Sequence, residues 1–130
     1  MPRAASITAA TGLSLMLASL LPVPAFAHHS AAATYDASHT VVVRGRVAEF
    51  AWRIPHCFLT INAESGDYKG RRYVVEMSSA VVLRATGWSA STFRVGDTVE
   101  ITVMPSLAPN AAHGLCRECP VRVNGRVLTP

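Results

Sequence analysis

The sequence predicts an all-β domain with one short helix, folded as a small five-stranded barrel of the OB-fold type. Apolar residues recur with a period of two in several short segments, which is typical of half-buried strands. One helix-like segment separates the third predicted strand from the fourth, and this order is found in the OB-fold, a small Greek-key barrel. Closing a short sheet into a barrel also removes exposed edges. Another small β-sandwich or roll is the alternative.

The first two strands are predicted in the segments "TVVVRGRVAEFAW" and "HCFLTINAE", which are separated by Ile54-Pro55. Gly45 lies within the first segment and indicates a bend or a close approach of another backbone. Alternation divides the side chains of each strand between two faces. The residues expected to face the core are Val41, Val43, Val47, Cys57, Leu59 and Ile61.

The remaining elements follow in order along the chain. "YVVEM" predicts the third strand after the turn-like loop "SGDYKGRR". "SSAVVLRATGW" predicts the helix, with a serine at its start and Gly87 where a helix end favours a left-handed residue. "FRVGDTVEITVMP" predicts the fourth strand, and "CPVRVNGRVL" predicts the fifth, around a turn at Asn124-Gly125.

Residues 1–27 have the three parts of a secretory signal peptide. Arg3 lies in a short basic start, an apolar run follows, and Ala25-Phe26-Ala27 supplies the small residues of a cleavage site. The apolar run is shorter than the roughly 20 residues that cross a bilayer. We therefore expect cleavage after Ala27 and a periplasmic or secreted product without stable membrane insertion. The expected mature chain has an amino-terminal segment at residues 28–40 and a barrel domain at residues 41–130.

The charge balance gives no support to nucleic-acid binding. The chain has 12 Lys and Arg against 8 Asp and Glu, a formal net charge of +4. Nucleic-acid binders concentrate basic residues in a stripe, whereas these arginines are scattered, apart from "KGRR" in an apparent solvated loop. The partner expected for an exported chain is instead an envelope protein or a small ligand.

Cleavage after Ala27 would give His28 a free α-amine. That amine and the ring Nδ1 of His28 can chelate one metal ion, and His29 offers a second mode through its ring and its own amide nitrogen. His56 is the preferred distant ligand, because it starts the second strand and faces away from the predicted core. Imidazole and amine nitrogens favour copper. The alternatives are an exposed polar terminus for the histidine pair and a surface or structural role for His56.

Four other titratable residues are expected to lie outside any site. His39 and His113 fall in loop-like segments. Asp36 is interpreted as a turn residue rather than as a partner that orients a ligand histidine. Glu76 falls opposite the apolar face of the third strand, so the pattern predicts an outward, solvated carboxylate rather than a buried general base.

Cys116 and Cys119 form a C-x-x-C motif, for which a local disulfide is the main prediction. A metal or redox site that adds Cys57 or His113 is the alternative. Thioredoxin-like chemistry would need a βαβ setting, and attachment of c-type haem would need a histidine where Pro120 stands. Cys57 is predicted to be a small buried hydrophobe.

The chain has seven short motifs in this order: His28-His29-Ser30, Tyr35-Asp36, Val43-x-Gly45-x-Val47, Pro55-His56, Gly87-Trp88, Gly96-Asp97 and Asn124-Gly125-Arg126. Their order and spacing resemble those of a family of small exported bacterial proteins of unknown function. The family has an OB-like fold and no settled activity, so the resemblance implies a fold and no reaction. The chain departs from the family pattern at Ile54, where asparagine is typical, and in "CREC", which replaces a stretch that often lacks cysteine.

Two functions of different classes fit these patterns. The first is an exported binding protein that holds copper or another transition metal through the histidine ligands described above. The second is a metal-free OB-fold interaction module for an envelope protein or small ligand. Its apolar contacts would be Trp52, Phe58 and Trp88, which could instead pack in the core. An enzyme ranks last, because no nucleophile-base pair, carboxylate pair or cofactor fingerprint stands out.

Overall fold

The computed structural model describes residues 31–128 and folds them as a closed β-barrel with two short helices and two outer strands. A 3₁₀ turn at Gly66–Tyr68 joins the second and third strands. The helices are α1 (Ala31–Thr34) and α2 (Ala80–Ala85). The strands are β1 (Val41–Ala51), β2 (Phe58–Ala63), β3 (Arg72–Glu76), β4 (Thr98–Pro105), β5 (His113–Leu115), β6 (Val121–Val123) and β7 (Arg126–Leu128).

The barrel strands are ordered β1-β2-β3-β5-β4, and pairing between β4 and β1 closes the ring. The β3–β5 pair is parallel and the other pairs are antiparallel. β6 and β7 continue the sheet beyond β4, outside the ring. The predicted five-stranded OB-fold-like barrel is therefore confirmed.

The fifth barrel strand differs from the prediction. It is His113–Leu115, which the sequence pattern left in a loop, whereas the predicted fifth strand forms the outer hairpin β6–β7. Asn124 and Gly125 have φ angles of 48° and 80°, as a tight hairpin turn requires. The turn makes the two halves of that segment pair with each other. The structure also has a helix, α1, in the predicted amino-terminal segment. The sequence predicted one helix, which corresponds to α2, so α1 was not expected.

Strand alternation builds the core as predicted. β1 and β4 bury every second side chain along the lengths where they pair with each other. Packing of these side chains supplies most of the favourable free energy of a small domain. The residues with almost no exposure include Val43, Val47, Cys57, Leu59, Ile61, Tyr73, Val75, Ile101 and Val103.

Helix α2 follows its predicted capping pattern. The side chain of Ser79 accepts a hydrogen bond from the backbone N–H of Val82 at 3.3 Å, which satisfies one of the free donors at a helix start. Gly87 has a φ of 88° just beyond the helix end, a conformation that glycine adopts without steric cost. The helix buries Ala80 and Leu83 against the barrel.

The hydroxyl of Tyr73 is buried and has no hydrogen-bond partner within residues 31–128. Burial raises the pKa of this hydroxyl. Since a buried unpaired polar group is destabilising, we expect Tyr73→Phe to raise the free energy of unfolding by about 1 kcal/mol. Urea unfolding measures the change. Tyr35→Phe is the matched control, because the Tyr35 hydroxyl does have a partner and its removal should lower stability. A loss of stability in Tyr73→Phe would contradict the prediction.

Candidate functional site

The carboxylate of Glu76 contacts three side chains from distant parts of the chain: it accepts hydrogen bonds from Tyr35 and Arg117 and lies within ion-pair distance of His56. Oε1 lies 2.7 Å from Nδ1 of His56 and 3.3 Å from a terminal nitrogen of Arg117. Oε2 accepts a hydrogen bond from the hydroxyl of Tyr35 at 2.7 Å. We call Tyr35, His56, Glu76, His113 and Arg117 the Glu76 cluster. The prediction of a solvated Glu76 is wrong, because only 16% of this side chain is exposed.

The barrel topology brings these residues to one end of the sheet. Glu76 is the last residue of β3, and His113 opens the parallel strand β5. The loop after β5 carries Arg117, and the N–H of Cys116 donates to the carbonyl of Glu76 at 2.8 Å. Parallel strands place their carboxyl ends at the same edge, so the end of β3 and the loop after β5 meet there.

Tyr35 docks the amino-terminal segment onto this edge. Its side chain is buried, with 4% exposure, and its ring lies edge-on to the ring of His113 at a centroid distance of 5.3 Å. Backbone pairing fixes the position, since Tyr35 bridges to Ser106 and the N–H of Asp36 donates to the carbonyl of Pro105 at 2.8 Å. Tyr35 and Asp36 are therefore held against the barrel by both side-chain and backbone contacts.

The hydrogen-bond pattern assigns the protons of Tyr35 and His113. The hydroxyl of Tyr35 donates to Glu76, so its oxygen is left to accept from Nε2 of His113, 3.0 Å away. Burial raises the pKa of Tyr35, and the hydrogen bond to Glu76 raises it further. Burial also lowers the pKa of His113. Tyr35 and His113 are thus both neutral at pH 7. Tyr35 contacts Glu76 directly, and His113 contacts Tyr35.

His56 lies at the edge of the cluster and directs one ring nitrogen to Glu76. Nδ1 points at Glu76, and 39% of the side chain is exposed. Within residues 31–128, Nε2 of His56 has no hydrogen-bond partner. Metal-binding histidines commonly direct one nitrogen to a carboxylate and the other to the ion. The geometry of His56 and Glu76 matches that arrangement.

The other predicted metal ligands, His28 and His29, lie outside the described residues. Among residues 31–128, no group of three or more His, Cys, Asp or Glu side chains is placed to hold a metal ion. His56 alone therefore does not form a site. A three-nitrogen set would need the amino-terminal residues that precede α1.

Asp36 and His39 form a local turn, which agrees with the interpretation of Asp36 as a turn residue. Asp36 accepts a hydrogen bond from the N–H of Ser38 at 2.8 Å and lies 3.0 Å from Nδ1 of His39. Hydrogen bonds from Ser38 lower the pKa of Asp36. Neither Asp36 nor His39 belongs to the Glu76 cluster.

The cysteines agree with the main prediction. Cys116 and Cys119 form a disulfide, with their Cα atoms 5.3 Å apart. Cys57 is a free, fully buried cysteine whose Sγ faces the carbonyl of Arg53 at 3.6 Å. Cys57 therefore packs as part of the core.

The three aromatic residues proposed as surface contacts divide between surface and core. Trp88 is 5% exposed and packs edge-on against Phe93, so its assignment as a surface contact is wrong. Trp52 and Phe58 are partly exposed. The guanidinium of Arg53 lies 4.7 Å from the ring centroid of Phe58.

A family model of unknown function matches residues 16–116, which is most of the chain. The chain belongs to the family of unknown function DUF6152. The family resemblance seen in the short motifs is thus confirmed. The DUF6152 match takes in Tyr35, His56, Glu76 and His113 and ends at Cys116, within the disulfide loop. Comparison with curated proteins and with solved structures found no match.

None of the helices formed by residues 31–128 has the length and apolar character needed to cross a membrane. Membership of DUF6152 gives the family of the chain, and the barrel gives its fold. Neither identifies a ligand.

Sequence reasoning missed Tyr35, His113 and Arg117 as members of the cluster. Tyr35 is separated from Glu76 by 41 positions and from His113 by 78, so no local spacing connects them. A usable signal was Glu76 itself, the one acidic residue in the apolar segment "YVVEM".

Proposed function

We propose that this DUF6152 chain is an exported binding protein that holds a copper ion beside the Glu76 cluster, through His28 and His56. The supporting observation is the docking of Tyr35 onto Glu76, the same carboxylate that orients His56. The proposal requires export and cleavage after Ala27, which would make His28 the amino-terminal residue. The α-amine and Nδ1 of His28 then supply two ligands, and Nε2 of His56 supplies the third.

Chain reach supports this ligand set. Residues 31–34 form α1, which rises about 1.5 Å per residue, and an extended chain spans at most roughly 3.5 Å per residue, so the stretch from Tyr35 back to His28 can cover on the order of 15 Å. Tyr35 and His56 contact the same carboxylate. The residues before Tyr35 therefore start close to His56, and His28 needs to reach back only across the Glu76 cluster. His29 provides a second binding mode at the same place. Nitrogen ligands of this type favour copper within the divalent series.

The test compares the exported protein with a variant that carries one extra alanine before His28. The intact mass of the exported protein must first show a start at His28. Cu(II) titration and electron spin resonance then give the affinity and the ligand set. The insertion separates the α-amine from His28, so we expect affinity to fall on the order of a hundredfold and the spectrum to change.

Single substitutions locate the distant ligand. His56→Ala should weaken Cu(II) binding, whereas His39→Ala, which alters another exposed histidine with a carboxylate partner, should leave it unchanged. Equal affinities and spectra in the wild type and the insertion variant would contradict the chelate, as would a mature start other than His28. Unchanged binding in His56→Ala alone would remove His56 from the site and leave the chelate in place.

A metal-free interaction module remains a second candidate, supported by the surface of the β1–β2 loop. Ile54 is 68% exposed between the partly exposed Trp52 and the Arg53–Phe58 stack. Tryptophan and arginine are enriched among residues that dominate binding energy. Retention of one defined envelope protein in the presence of a metal chelator, lost in Ile54→Asp and kept in Val95→Asp, would favour this function. Val95 is the control because it is exposed elsewhere.

A further inference from the structure

The Cys116–Cys119 loop contacts Glu76 through both its backbone and a side chain. The N–H of Cys116 donates to the carbonyl of Glu76 at 2.8 Å. Arg117, which lies between the two cysteines, reaches Oε1 of Glu76 at 3.3 Å. The same carboxylate holds the hydroxyl of Tyr35. The disulfide loop therefore contacts Glu76, the same residue that anchors the amino-terminal segment through Tyr35.

One cysteine of this disulfide is partly exposed, and the other is buried. Cys116 is buried, whereas Cys119 is partly exposed and its neighbours Glu118 and Pro120 are exposed. A surface cleft of about 250 Å³ is lined by Cys119, Pro120, Thr102 and Thr40. Thiol-disulfide exchange requires access of a thiolate to a sulfur, and Cys119 is the cysteine of this pair that lines a surface cleft.

The disulfide closes a short loop and is therefore expected to contribute little to the stability of the barrel. The two cysteines are only three positions apart, and the stabilisation that a cross-link gives through the unfolded chain falls as the closed loop shortens. Of the barrel strands, only β5 ends at this loop. We expect the barrel to stay folded when the bond is broken, while the position of Arg117 becomes less restricted.

We infer that Cys116–Cys119 is a thiol-disulfide exchange site whose reduction by a dithiol loosens the docking of Tyr35 and Asp36 beside Glu76. A thiolate of the dithiol attacks Sγ of Cys119, the bond to Cys116 breaks, and Cys116 leaves as a thiolate that takes up a proton. The second thiol of the dithiol then attacks the mixed disulfide and frees Cys119. The protein gains two electrons and two protons, and the dithiol becomes a disulfide.

This inference goes beyond copper binding and holds with no metal present. In the oxidised protein, the loop restricts Arg117 to the side of Glu76, and Arg117 and His56 both support the carboxylate that accepts from Tyr35. In the reduced protein, the loop gains conformational freedom and the contact of Arg117 with Glu76 is made less often. The hydrogen bond of Tyr35 is then the next contact to weaken, because it depends on the orientation of the same carboxylate.

Hydrogen exchange followed by mass spectrometry tests the inference on metal-free protein in the presence of a chelator. Dithiothreitol is the probe, and a gain of two thiols shows that only this bond has been reduced. We expect the amides of Tyr35 and Asp36, which bond to Ala31 and Pro105, to exchange at least about threefold faster after reduction. Exchange in β1 and β2 should not change.

Arg117→Ala with its disulfide intact provides an independent measurement if reduction unfolds the protein. It should accelerate exchange at Tyr35 and Asp36 in the same way, whereas Arg122→Ala, an exposed arginine on β6, should not. Unchanged exchange of the segment in Arg117→Ala would overturn the inference. So would equal acceleration in the segment and in β1 of that variant. Because copper is absent throughout, failure of the copper proposal does not affect these outcomes.

Discussion

Gly45→Ala is expected to lower the free energy of unfolding by about 3 kcal/mol or more. Gly45 pairs with Ala63 of β2 on one side and with Val99 of β4 on the other. A Cβ at this position would lie 2.0 Å from the carbonyl oxygen of Asn62. The clash is with backbone, so relief requires that the paired strands separate. Urea unfolding measures the loss, and poor yield of folded protein would be its extreme form.

Gly66→Ala is the matched control for this prediction. Gly66 has a φ of 71°, and within residues 31–128 no atom beyond its two chain neighbours lies within 4 Å of the place that an added Cβ would occupy, so alanine there strains only the local backbone. A cost of about 1 kcal/mol is expected. If the two substitutions had equal effects, the close approach of β2 at Gly45 would not explain why glycine occupies that position.

Glu76→Ala is expected to lower the free energy of unfolding by about 2 kcal/mol and to release the amino-terminal segment. The substitution removes the common acceptor of Tyr35, His56 and Arg117. Among residues 31–128, it leaves the largely buried Tyr35 hydroxyl with His113 as its one remaining partner. Urea unfolding gives the stability change, and hydrogen exchange at Tyr35 and Asp36 reports the release.

Glu64→Ala is the control for Glu76. Glu64 pairs with Arg46, and both side chains are more than half exposed, so its removal should cost less than about 0.5 kcal/mol. Glu76→Gln should fall between the wild type and Glu76→Ala, because the amide keeps one acceptor oxygen. A loss in Glu76→Ala no larger than that in Glu64→Ala would show that the cluster does not hold the segment.

The fold was largely predictable because its long strands alternate clearly. β1 and β4 place every second residue in the core over most of their lengths, and α2 has both a serine cap and a terminal glycine. β5 escaped prediction because it has three residues with Gly114 at its centre, too few to show a period. A Cβ at Gly114 would meet the Tyr73 hydroxyl at 2.7 Å, which explains why glycine fits this short strand.

The candidate site was less predictable for a different physical reason. Alternation placed Glu76 away from the core, and its side chain does leave that face. Alternation could not show that Tyr35 and the disulfide loop cover the outer face at this point. His56 was selected from its position after Pro55, whereas its carboxylate partner required the pairing of β2 with β3.

The outer hairpin affects how this protein can associate with other chains. Within residues 31–128, β7 is at the end of the sheet and has a strand neighbour on one side only. An unpaired strand edge can add a strand from another molecule. This edge has only three residues, and Arg126 is exposed on it, so each association would form few hydrogen bonds and bring like charges together. The hairpin therefore covers part of β4 while presenting a poor template for aggregation.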